Sequence, residues 1–120
     1  MAVKNTIPNV SAVVMRRDQL ARVLAADIED IRSYRVAGDW KTYLHLLSDA
    51  RLAYFPQSLN LHRRHRKGIT ISTFNESQFC EIRDIQKWVA NRYSLAPNVE
   101  AMAQHYLAVL REEFGLSRSP

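Results

Sequence analysis

The chain lacks the residues that would announce a particular chemistry. It has a single cysteine, Cys80, so no internal disulfide can form. No CxxC pair is present from which a structural zinc site is usually built. Glycine occurs three times, at 38, 68 and 115, so there is no glycine-rich phosphate cradle. The G-x-S-x-G and H-E-x-x-H signatures are absent as well. No apolar run approaches the ~20 residues that span a bilayer. The stretch Ser11–Met15 is too short for a signal-peptide core, and Lys4 alone is a weak basic flank. These absences predict a soluble, cytoplasmic, non-enzymatic protein with no cofactor and no metal. Cys80 then reads as a small core residue rather than a catalytic thiol.

What is present is an ordinary globular composition. Apolar residues make up 47% and charged residues 24%, close to the average for folded domains. A chain of 120 residues has the size of one domain. The punctuation by Gly and Pro divides it into a flexible lead-in over 1–10, a single helical domain over 11–115 and a mobile tail over 116–120.

Within 11–115 the apolar period predicts four helices. The first runs from about Ser11 to Val36, with Leu20, Leu24, Ile28 and Ile31 on one face. Ser11 is its N-cap, and Gly38 lies just past its end. Asp39 is placed to cap the second helix. That helix carries Trp40, Tyr43, Leu44, Leu47, Ala50 and Tyr54, and Pro56 ends the run. Thr73 and Glu76 have the spacing of a capping box for the third helix, whose stripe is Phe79, Ile82, Ile85, Val89 and Tyr93. Pro97 suits the first turn of the fourth, which bears Val99, Met102, Ala103, Tyr106, Val109, Leu110 and Phe114. Gly115 is its carboxy-terminal cap. The fold class is therefore mainly α: a single-domain bundle of about four helices, with a long basic connection between helices two and three. In that connection Ile69–Thr73 alternates apolar and polar residues, which fits a short β segment.

The charge is where the sequence speaks most directly. The net charge is +5. Four of those charges lie in six residues: His62, Arg63, Arg64, His65, Arg66 and Lys67. The rest of the chain is balanced to within about one charge, so the basic excess is a local feature. Three of the four cations are Arg, which binds phosphate through a planar fork and stacks on bases. Each fixed cation can neutralise a phosphate and release a counterion. Asn60, just before the run, can hydrogen-bond a base edge or a phosphate.

The expected binding set is thus Arg63, Arg64, Arg66, Lys67, His62, His65 and Asn60, with Arg16, Arg17, Lys87 and Arg92 extending the patch. The partner is nucleic acid, DNA or RNA, bound as by a small regulator or a helical subunit of a nucleoprotein complex. The rival reading is a protein–protein module, an adaptor or inhibitor of a nucleic-acid-processing machine, phage- or plasmid-like in style. Surplus aromatic residues (Trp40, Trp88, Tyr34 and Tyr54) also point to a homodimer.

Two other constellations carry less. His62 and His65 are three apart but sit among four cations, which disfavour a divalent metal. Helices three and four have the spacing of a helix-turn-helix. Yet the fourth carries Glu100 at its start and offers only Asn98 and Gln104 where a recognition helix presents Arg, Lys, Asn or Gln, and the two read as a packing pair.

Overall fold

A computed structural model describes residues 1–7, 9–57, 59–61 and 74–116. The chain is mainly helical, with four α-helices among the described residues: α1 Arg17–Arg32, α2 Gly38–Leu47, α3 Glu76–Arg92 and α4 Pro97–Glu113. A 3-10 turn, Val10–Ala12, precedes them. The alternating segment 69–73 and the basic run 62–67 lie outside the described residues. The backbone groups into two compact units. One contains α1 and α2; the other contains α3, α4 and Met1–Asn5.

In the first unit the helix faces follow the sequence pattern, but the ends do not. Helix α1 starts at Arg17, not at Ser11, which lies in the 3-10 turn. It stops at Arg32, four residues before Val36, where the Ser33 hydroxyl donates to the Asp30 carbonyl at 2.6 Å. That local bond offers the backbone an alternative to continuing the helix. Gly38 is no cap for α1. It opens α2, and a Cβ there would lie 3.3 Å from the Ile31 carbonyl oxygen, so only glycine seats the new helix without displacing the end of the old one.

Asp39 is likewise not the N-cap of α2, a position held by Ala37. It lies one residue inside the helix and accepts from the Trp40 amide at 2.6 Å. A carboxylate in the first turn still favours the helix dipole. Helix α2 ends at Leu47 rather than running to Pro56, because Ser48 and Asp49 form a turn on the His45 and Leu46 carbonyls. Tyr54 therefore leaves the predicted stripe and is 83% exposed. Trp40, Tyr43 and Leu44 are buried, as are Ile31 and Ala37.

The second unit begins with a capping box two residues later than the sequence spacing suggested. Asn75, not Thr73, is the N-cap. Its side chain accepts from the amides of Ser77 and Gln78, while the Gln78 side chain accepts from the Asn75 amide. Pro97 stands in the first turn of α4 as expected. Phe79 from α3 packs with Leu107 and Leu110 from α4, and Phe74, Ile82, Tyr106, Phe114 and Leu116 close around them. This agrees with helices three and four as a packing pair.

Helix α4 terminates in a Schellman motif. Gly115 takes φ +61°, its amide donates to Glu112, and the Leu116 amide donates to Arg111. Leu116, at the edge of the predicted tail, is thereby folded back onto the apolar cluster. The lead-in is tied down too, since Gln86 Nε2 donates to the Val3 carbonyl at 2.7 Å.

Candidate functional site

Of the sequence-predicted binding set, His62, Arg63, Arg64, His65, Arg66 and Lys67 lie outside the described residues. Asn60 is exposed, and its side-chain amide donates to Asn9 at 3.4 Å. Arg16 and Arg17 stand exposed at the start of α1, and neither enters an ion pair among the described residues. Lys87 and Arg92 belong to the other unit, exposed on α3. The Arg92 guanidinium lies 5.4 Å from the centre of the half-buried Trp88 ring, a cation–π contact.

Between 13 and 52 the chain builds a groove of about 320 Å³ in the first unit. Val13, Met15, Leu46 and Leu47 supply apolar wall, and Arg16 and Arg51 both line it. Nothing in the sequence singles out Arg51, which stands inside the apolar period that runs from Trp40 to Tyr54. It is exposed and makes no ion pair among the described residues. Two cations from distant parts of the sequence thus meet one concave surface.

Tyr43 also lines this groove. It is 3% exposed, and its hydroxyl has no hydrogen-bond partner among the described residues. Burial, and secondarily the negative charge of Asp39, raises its phenol above the usual tyrosine range.

A second feature escaped the sequence reading altogether. Lys41 is 1% exposed, and its ammonium lies 3.0 Å from Asp30 Oδ2. His45 Nε2 is 3.3 Å from the same oxygen, and His45 Nδ1 is 3.1 Å from Asp27 Oδ2. Both ring nitrogens face carboxylates; a charged ring donates at both, a neutral one at a single nitrogen. The Lys41 ammonium also sits 5.2 Å from the Tyr34 ring centre. These groups clasp α1 to α2. Asp27 and Asp30 are three apart, as neighbours on a helix face must be, but nothing local in the sequence pairs them with positions 41 and 45.

The other predicted surplus aromatics divide. Trp40 belongs to the core at 2% exposure, Tyr34 is half-buried, and Tyr54 is open to solvent. Cys80 is half-buried, where Arg83 Nη2 lies 3.4 Å from its sulfur. Among the described residues no group of three or more His, Cys, Asp or Glu side chains is placed to hold a metal ion. No helix among them is long and apolar enough to cross a membrane. Comparison with protein-family models, with curated proteins and with solved structures finds no match.

Proposed function

We propose that the protein binds nucleic acid without catalysing a reaction on it. The observation that carries the reading is the concentration of charge: four of five net positive charges within His62–Lys67. A polyanion has little else on this chain to attract it. Arg16 and Arg51, which line one groove and make no ion pair among the described residues, support the same reading.

The test is a titration of labelled DNA and RNA, single- and double-stranded, across a salt series. Four phosphate contacts give a slope of log K against log salt of about −3.6 for duplex DNA and about −2.8 for single strands. Changing Arg63, Arg64, Arg66 and Lys67 together to Ala flattens most of that slope and leaves the far-ultraviolet circular dichroism unchanged. Equal affinity of the quadruple variant, or no binding by the parent at low salt, refutes the reading. In the latter case a protein-contact module is the better account. The exposed Leu52, Leu59 and Leu61 favour that alternative, since aliphatic side chains suit a protein surface.

A further inference from the structure

Leu52, Tyr54, Phe55, Leu59 and Leu61 are all more than half exposed, within ten consecutive positions. Single exposed apolar side chains are common, but a run of this density marks a contact surface. Two of the five are aromatic and adjacent: Tyr54 at 83% and Phe55 at 71% exposure. Their backbone is non-helical. Pro56 follows directly and holds Phe55 away from helical angles, which stiffens the segment that presents the two rings. Three residues before Tyr54 stands Arg51, on the rim of the groove it shares with Arg16. Seven residues after Phe55 the basic run begins.

We infer that Tyr54 and Phe55, which follow Arg51 in the chain by three and four residues, form a stacking platform for single-stranded nucleic acid. The inference rests on the nucleic-acid reading above and narrows its substrate class. Flat rings held open to solvent in a segment that carries Arg51 offer what an unpaired strand requires: a π-face for each base and fixed positive charge for the backbone. Arg adds to both, because its guanidinium stacks on bases as well as binding phosphate. A duplex keeps its bases stacked on one another, so the same rings gain little from it. The groove of about 320 Å³ beside Arg51 gives the strand a concave, partly apolar bed.

The experiment compares the parent chain with two double variants. The probes are a labelled oligothymidylate of about twelve nucleotides, a length in the range small single-strand-binding domains cover, and a duplex of equal length. Tyr54→Ala with Phe55→Ala should weaken oligothymidylate binding by about fivefold or more for each ring that stacks. The salt slope and the duplex affinity should stay as in the parent. Tyr54→Leu with Phe55→Leu keeps apolar surface but removes the flat faces, and it should lose affinity as the alanine variant does. Both side chains are exposed, so circular dichroism should be unaltered in either variant.

Parent binding with an unaffected alanine variant overturns the platform while leaving the nucleic-acid reading in place. So does a leucine variant that binds like the parent. Binding of duplex and single strand with equal loss in the alanine variant overturns the single-strand preference. A parent that binds no nucleic acid refutes both readings. If the variants instead turn a dimer into a monomer in light scattering and leave oligothymidylate affinity untouched, the patch is a self-contact surface and the platform is wrong.

Discussion

The hydroxyl of Tyr43 gives the sharpest test of the fold's energetics. It is buried, and it has no hydrogen-bond partner among the described residues. Leaving a polar group unpaired in the interior costs about 1–3 kcal/mol relative to its hydrated state in the unfolded chain. Tyr43→Phe removes the group and keeps the ring that packs. Most point changes destabilise, yet this one should raise the unfolding free energy by about 1 kcal/mol, the low end of that range. For a chain of this size that is about 4 °C in Tm. The pH dependence sharpens the test. Burial first, and Asp39 second, raise the folded-state pKa of Tyr43. The unfolded phenol ionises at about pH 10, so the unfolded state loses its proton first. Stability is then full below that pH and falls as pH climbs through the higher folded value. The Phe variant lacks this term, and its advantage should widen above about pH 10. It should retain some alkaline loss, because Tyr106 is raised in the same direction by burial and by Glu113. Circular-dichroism melts at neutral and alkaline pH read both effects. A Phe variant that melts lower than the parent at neutral pH, with no widening at high pH, would show that the hydroxyl has a partner and that the reasoning fails.

Two further outcomes follow from the second unit, each read by chemical denaturation. Phe79→Ala empties the centre of the α3–α4 cluster, where Phe79 is 1% exposed, and should cost about 3–5 kcal/mol; a loss under about 1 kcal/mol would place the core elsewhere. Gly115→Ala meets no neighbouring atom within 4 Å but forces a side chain onto φ +61°, so it should cost about 1–2 kcal/mol of backbone strain alone.

The existence of all four helices was legible in the sequence, but the ends of α1 and α2 and the cap of α3 were not, and on α4 the period counts Met102 and Val109, which are exposed, and omits Leu107, which is buried. The reasons are local. Ala50 and Tyr54 continue the period of α2, but Ser48 and Asp49 stop the helix before either can join it. Thr73–Glu76 and Asn75–Gln78 are overlapping capping boxes, and spacing cannot rank them; Asn75 is the one the structure uses. Pro97, whose φ is fixed, and Gly115, whose missing Cβ allows a positive φ, act without regard to neighbours and were legible outright. The misread end of α2 had a functional consequence. By drawing Tyr54 onto a helix stripe, it concealed the exposed ring pair and Arg51 beside it. The Lys41–Asp30 contact was hidden for a different reason. A lysine reads as surface whatever its neighbours, and only the docking of α2 on α1 buries it.

That docking decides what can fold by itself. Asp27, Glu29 and Asp30 crowd the carboxy-terminal half of α1, where the carbonyl end of the helix repels negative charge. Within α1, Arg32 answers only Glu29, at 3.8 Å across exposed surface, a contact of small worth. Lys41 supplies positive charge from α2, and the His45 ring adds contacts to Asp27 and Asp30. Cut free, α1 would fray from its last turns. Helix α2, at ten residues, is shorter than the roughly 12–15 an isolated helix needs in water. Neither is a folding module in its own right. The smallest cooperative piece is the pair, so the amides of Ile28–Arg32 should exchange with solvent in step with those of α2 rather than ahead of them.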